Sequence, residues 1–283
     1  MKKWTIPRLK LGGTSFLLPA KYVPAVRFAA ERCEDVALLT LESGEHGEYF
    51  PTPRELKEIA RIIDGEGASL HVHLPTDADF DTPRNTRSLV AKVREAVERT
   101  ERLRPHSFVL HVDFPSLHER APDLTAEQRQ WTAEALAEIA AFLPAPDMLA
   151  VENLEAFPPN FWDGWIDGTP YSRCLDVGHI WKAGGDPAPV LAAWLPRIRV
   201  IHLHGLEPRA VAAPPSPSGG APVHRLRDHK SLRFTAPDRI DAVMHPLWRQ
   251  GFGGVLNLEV FCLEDFIVSH AALLQSWERY AGD

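Results

Sequence analysis

Histidines and carboxylates recur at the ends of apolar runs in this chain, a placement that suits metal-ion chemistry. The run Ser69-Leu-His71-Val-His73-Leu-Pro75 sets both histidines on one face of an extended segment and Leu70, Val72 and Leu74 on the other. His111 and Asp113 share a face of a fourth such run, Glu152 interrupts the apolar Leu149-Ala-Val151, and Asp176 follows Cys174-Leu175 with His179 three residues on. His202 and His204 alternate in a seventh run, His229 comes in the segment after it, and Glu259 stands in Leu256-Asn-Leu258-Glu-Val260-Phe261. His71, His73, His111, His179, His202, His204 and His229 are thus seven of the chain's 13 histidines. A lone strand histidine is ordinarily a hydrogen-bonded core residue, and a lone strand carboxylate a rim residue in an ion pair. Burying several carboxylates together is costly without a compensating cation. Imidazole with carboxylate suits Zn, Mn or Fe, whereas an all-oxygen set would suit Mg or Ca.

The elements that must position these groups follow from the hydrophobic pattern. Short aliphatic runs near 9–16, 35–43, 68–75, 107–114, 148–155, 171–177, 200–206 and 253–261 alternate with longer amphipathic stretches. Helix starts are marked by Thr52-Pro53 with Glu55, by Thr125 with Glu127, and by Thr235-Ala-Pro237-Asp238. Eight strands and their helices predict an α/β fold, a (β/α)8 barrel over residues 1–283 as one domain. The rival, an open doubly wound sheet, calls for a glycine-rich phosphate turn after the first strand, and Gly12-Gly13 sits inside the strand instead. In a barrel the C-terminal strand ends meet at one face. Glu152, Asp176, His202 and Glu259 would form one cluster there, widened by His73, His111, His179 and His229. Eight donors exceed the needs of one ion, so two or three divalent ions per chain are expected, zinc or manganese foremost.

Two segments break the rhythm, an aromatic one containing Phe161, Trp162 and Trp165 and a Pro-, Ala- and Ser-rich loop insertion over 207–223 after the seventh strand. Both fall on the active face of a barrel. Composition narrows the function classes. With 45% hydrophobic and 24% charged residues the chain is neither disordered nor fibrous. A formal charge of −7 disfavours general nucleic-acid binding. Cys33, Cys174 and Cys262 have no metal or disulfide spacing. The chain shows no apolar run of membrane length and no secretory pattern at MKKWTIPRLKLGG, so a cytoplasmic protein with a small-molecule substrate is expected. Nothing in the pattern sets an oligomeric state.

The phrases His73-Leu-Pro75, Val109-Leu-His111, Val151-Glu152-Asn153-Leu154, Leu175-Asp176-Val-Gly-His179 and Ile201-His202-Leu-His204 resemble, in order, the ligand positions of the xylose-isomerase-like TIM-barrel superfamily. That superfamily includes metal-dependent sugar isomerases and epimerases and the multi-zinc apurinic endonucleases. Within it the chain most resembles the cobamide-remodelling phosphodiesterases, through Thr14-Ser-Phe16-Leu-Leu-Pro19, His71-Val-His73-Leu-Pro75, Cys174-Leu-Asp-Val-Gly-His179, Arg227-Asp-His229-Lys-Ser-Leu232 and Gly254-Val-Leu-Asn-Leu-Glu259-Val-Phe261. The endonuclease Asp-x-His is absent: Arg227 stands where its acid would be, with Asp228 directly before His229.

The resemblance implies hydrolysis of the phosphodiester in a cobamide's nucleotide loop. Glu152 and Glu259 would be bridging or terminal ligands with catalytic roles, Asp176, His179, His202 and His229 further ligands, and His73 and His111 a third-metal or phosphate-side pair. Catalytic roles are also expected of His229 and Lys230, with Arg227 and Lys230 neutralising developing charge. Trp162, Trp165 and Trp181 would wall a flat corrinoid, and Glu42 would contact substrate. His71, His204 and Asp113 are expected to orient ligands, and His46, His106, His118, His224, His245 and His270 to be surface or structural. The alternative is a one-metal sugar or sugar-phosphate isomerase or epimerase, with Glu152 and Glu259 as acid and base on either side of a ketose carbon. A metal-loaded binding protein without turnover is a third reading.

Overall fold

The alternation of apolar and polar residues builds a barrel whose strands bury one face against helices and the other against the barrel axis. A computed structural model describes residues 3–40, 50–118, 123–211 and 223–282. Its elements are β1 (Lys10–Thr14), α1 (Tyr22–Ala30), β2 (Asp35–Leu39), α2 (Pro53–Glu66), β3 (Ser69–His73), α3 (Pro83–Thr100), β4 (Phe108–His111), α4 (Ala126–Phe142), β5 (Leu149–Glu152) and α5 (Asp163–Ile166). There follow β6 (Ser172–Asp176), α6 (Val177–Lys182), α7 (Pro187–Trp194), β7 (Ile198–Leu203), β8 (Gly205–Val211), β9 (Val223–Lys230), α8 (Pro237–Gln250), β10 (Val255–Leu258) and α9 (Leu263–Gly282). Eight parallel strands close in the order β1-β10-β7-β6-β5-β4-β3-β2, the (β/α)8 barrel that the periodicity predicts.

Local chemistry sets the helix starts. Thr52 accepts from the Glu55 amide while the Glu55 carboxylate accepts from the Thr52 amide at 2.8 Å, a reciprocal capping box. Thr125 forms the same box, with Gln128 rather than Glu127 as its partner. Before α8 the cap is Ala236, and Pro237 opens the helix with no side-chain cap.

The expected loop over 207–223 is different in kind. Its two flanks are the arms of an antiparallel hairpin, β8 on β9, with Glu207 opposite Arg227 and Pro208 opposite Leu226. A proline and small residues hide the strand pattern, and a two-stranded ribbon tolerates proline because each arm has a free edge. Residues 212–222 lie outside the described part, as do Glu42, His46 and the side chain of His224.

The main core lies between barrel and helices and includes Leu38, Ile59, Leu89, Val93, Leu136, Leu175, Leu247 and Phe266. A separate small apolar cluster, Val109, Ala150, Cys174 and Val200, sits inside the barrel. Branched aliphatics normally fill such an interior in layers. Here Asp35, His71, His73, Glu152, Asp176, His202, His204, Asn257 and Glu259 are buried polar residues of the strands and their ends. No described helix is long and apolar enough to cross a membrane.

Candidate metal centre

Register brings the strand-end groups into one ring. His111 pairs in register with Glu152, and Asp176 with His202, on neighbouring parallel strands. Asn257 pairs with His202, which puts Glu259, two residues beyond Asn257 on the same face, above that layer. Ligand atoms of Glu152, Asp176, His202 and Glu259 all lie within 4.8 Å of one another, as do those of His73, Glu152 and His202. His202 Nδ1 is 2.9 Å from one Glu152 oxygen and 3.3 Å from Glu259. His111 Nε2 and His73 Nε2 stand 3.1 and 3.3 Å from the other Glu152 oxygen. All eight residues expected as ligands thus gather at the C-terminal mouth of the barrel. A cavity of about 190 Å³ opens there, lined by His73, Thr76, His111, Glu152, His179, His229, Glu259 and Phe261. A larger one, about 620 Å³, opens at the other end beside Lys10, His106 and Arg199, and it lacks converging carboxylates.

The hydrogen bonds assign the histidine tautomers. His73 Nδ1 donates to the Leu74 backbone oxygen at 3.0 Å, His179 Nδ1 to Asn153 at 2.9 Å, and His229 Nδ1 to Glu259 at 3.2 Å. Each bond fixes the ring and leaves Nε2 as the atom available to a cation. His204 differs: its Nδ1 accepts the His229 amide at 3.0 Å, so Nε2 carries the proton and faces Asp176 at 3.4 Å. His204 thus stands beside Asp176 as a neighbouring charge without a hydrogen bond to it, and its ring nitrogen also lies within 4.8 Å of those of His179 and His229. Gly178 makes room for that ring, since a Cβ there would fall 2.1 Å from His204. His229 itself holds a left-handed backbone, φ 52°, uncommon for a residue with a side chain.

Electrostatics separates the carboxylates. Burial alone would raise Glu152, but His202 and His111 outweigh it and hold its carboxyl well below the usual range. Burial together with the Glu152 and Asp176 charges pushes Glu259 well above its ordinary value. Burial opposes the charge on Asp176, yet His179 and His204 bring its pKa down. Despite its burial, His179 is raised to about 9 by Asp176, Glu152 and Glu155, while burial and then His204 lower His229 to about 4. Burial lowers His111.

The residues fit divalent cations on three counts. The donor set mixes imidazole and carboxylate. Three rings, each held through Nδ1 by a backbone carbonyl, line the same cavity. The fully buried Asp176 Oδ2 has no hydrogen-bond partner.

Several expected substrate groups sit elsewhere. Trp162, Trp165 and Trp181 are 1%, 7% and 3% exposed and form no open wall. Trp162 donates to the Val112 oxygen at 3.1 Å, and Trp165 stacks on Phe114, because the aromatic segment closes the apolar layer beneath it. Arg227 is half exposed and faces Glu207 across the hairpin at 3.6 Å. Lys230 turns to Asp265 at 3.5 Å and does not line the cavity. Asp113 is 2.6 Å from His118, at the rim.

Asn153 and Glu155 are additions to the expected site. The Asn153 side chain brackets Asp176, accepting from its amide at 2.9 Å and donating to its carbonyl at 2.8 Å. Glu155 lies 3.6 Å from His179 Nε2 and is bound by Lys182, which also holds Asp228. Their positions after Glu152 in the fifth run were the only available signal. His106, expected to be structural, joins Asp35 at 2.9 Å.

No curated protein sequence matches the chain. Among solved structures, a D-tagatose 3-epimerase-like protein superposes with a TM-score of 0.70 at 17% identity, covering 97% of this chain and 99% of that one. A xylose isomerase domain protein from Planctomyces limnophilus gives 0.66 at 15% identity, over 100% of both chains. The D-allulose 3-epimerase of Methylomonas sp., solved with D-allulose, gives 0.64 at 13% identity, over 99% of both. These likenesses establish the fold, and their names match the isomerase or epimerase alternative rather than a phosphodiesterase. Residues 29–277 match the xylose isomerase-like TIM barrel model, and the chain belongs to that family.

Proposed function

We propose that the mouth of this barrel is a multi-metal centre that hydrolyses a phosphodiester. The observation that carries this reading is the surplus of prepared donors. Glu152, Asp176, His202 and Glu259 could by themselves hold one cation, and His73, His179 and His229 add rings that backbone carbonyls orient at the same cavity. In this reading His73, His111 and Glu152 would hold a second cation, and His179 and His229 would serve a third. Bound cations would lower the pKa of an attacking water and offset charge on the phosphate and the leaving oxygen.

The chain's own groups do the rest. Glu152 stays ionised between its histidines and spans the two ligand sets. Glu259, raised by burial and by the Glu152 and Asp176 charges, is the carboxylate whose charge a bound cation would offset most. The Leu74, Asn153 and Glu259 carbonyls keep their rings from turning. Phe261, 42% exposed, stacks near His229 at 4.8 Å and gives the cavity an apolar rim. The cobamide nucleotide loop implied by the sequence resemblance is the first substrate to try, bound without the tryptophan wall.

The second reading, epimerisation of a ketose, is favoured by the epimerase neighbours, one of them holding D-allulose. It needs one cation, with Glu152 and Glu259 as the acid–base pair. Incubating the Zn- or Mn-replete protein with adenosylated and cyanated cobamides, a simple aryl phosphodiester, D-allulose and D-tagatose separates the two. Hydrolysis yields an alcohol and a phosphomonoester, cobinamide being one expected corrinoid product. A ketose epimerised with every phosphodiester left intact would replace the first reading by the second.

A further inference from the structure

The barrel interior beneath the metal centre holds a second polar assembly. Asp35, fully buried at the start of β2, accepts from His71 Nδ1 at 2.5 Å, from His106 Nε2 at 2.9 Å and from the Ser69 hydroxyl. With its proton on Nδ1, His71 has a bare Nε2, and that atom is buried with no hydrogen-bond partner. His202 Nε2 is likewise buried and unpartnered, and the two rings lie 6.2 Å apart across the axis. Asn257 is fully buried, and both its side-chain oxygen and its nitrogen lack partners.

Such groups are rare in a folded interior, and their donor and acceptor characters are complementary. Were a cation held on His202 Nδ1, the ring proton would sit on Nε2 and make that atom a donor. Neither bond of the Asn257 amide is made in the cation-free structure; on loading, its oxygen would take that proton and its nitrogen would donate to His71 Nε2. Register supports this span: Asn257 pairs with His202 on one side and with Gly12 on the other, and Gly12 pairs with Asp35. Gly12 has no side chain to intervene, and a Cβ there would fall 3.2 Å from the Asn257 oxygen.

We infer that Asn257 is a positioning residue, linking the buried Asp35–His71 pair to the metal ligand His202. In the loaded protein the chain would run from the Asp35 carboxylate near the N-terminal end of the barrel, through His71 and the Asn257 amide, to the His202 ring. It would fix the tautomer and the angle of His202 from behind, as outer hydrogen bonds to ligand histidines do. This inference rests on the reading of His202 as a metal ligand, and the test separates the two.

The test is Mn2+ titration of the full chain, wild type and variants, following the binding step that His202→Ala removes. Asn257→Leu and His71→Phe are each expected to weaken that step by about 10- to 100-fold. The double variant is expected to lose no more than the weaker-binding single one, because both break one chain. Should either variant fail to fold, Gly12→Ala displaces the amide without removing it and is expected to weaken the same step at least several-fold. Wild-type affinity in these variants, or losses that simply multiply in the double variant, would overturn the inference and leave the metal centre standing. Unchanged Mn2+ binding in His202→Ala would overturn the metal reading itself, and the inference with it.

Discussion

His179 donates from Nδ1 to the backbone oxygen of Asn153 at 2.9 Å, and this bond decides which ring nitrogen faces the cavity. The same Asn153 clamps both backbone groups of Asp176 through its side chain. One asparagine just past β5 therefore positions Asp176 at the end of β6 and His179 in α6. Asn153→Ala keeps the His179 contact, which is to backbone, and frees the Asp176 backbone. It should lower stability by about 1–3 kcal/mol for the unsatisfied buried groups and weaken zinc binding by about 10-fold or more. Thermal unfolding and a zinc titration of the same sample check both.

Binding of cations at neutral pH should release protons. His179, at about 9, holds a proton at pH 7 in the cation-free protein. A ligand must give its proton up, so affinity rises with pH until His179 is neutral, near pH 9. The sign for stability is opposite. The contribution of protonated His179 is full below its unfolded value of 6.5 and is lost as pH rises through about 9. A weakly buffered indicator assay should register about one proton per chain at pH 7 from His179, falling toward zero above pH 9. No proton release at pH 7 would contradict the assignment of His179 as a ligand.

Gly178→Ala should be damaging for a reason that helix propensity does not supply. The added methyl would meet three atoms of the His204 ring at 2.1–2.4 Å, and the ring would move off Asp176. A cost of about 1–3 kcal/mol is expected from overpacking, with weaker metal binding as its companion. A thermal melt with and without added cation reads both effects.

The barrel and the ring of histidines and carboxylates at its mouth were legible in the sequence because period-two alternation marks which strand residues share a face, and parallel strands bring their ends together. Glu152, Asp176, His202 and Glu259 needed no more than that. The hairpin β8–β9 was hidden because Pro208 and its small neighbours lack a strand's alternation. Trp162, Trp165 and Trp181 misled because residue type shows capacity for stacking but not which side of a layer a ring occupies. Asp35 and Asn257 escaped notice since each reads alone as an ordinary polar residue in an apolar strand. Their meaning comes from register across β10, β1 and β2, between residues more than 200 positions apart in the case of Gly12 and Asn257.

The buried tryptophans can be told from a substrate wall. Trp162→Phe keeps the packing and loses the hydrogen bond to Val112, so a destabilisation of about 1 kcal/mol with KM unchanged is expected. Arg227→Ala, at an exposed cross-strand pair, should change stability by less than about 1 kcal/mol and leave kcat unaltered. A many-fold rise in KM in either variant would restore the role that the sequence suggested.

The most direct measurement is the metal content of the chain, purified without chelator and counted by elemental analysis beside His179→Ala and His73→Ala. At least two divalent ions per wild-type chain are predicted, with fewer in each variant and the Glu152–Asp176–His202–Glu259 ion retained. A single ion per chain, unchanged in both variants, would contradict the multi-metal centre.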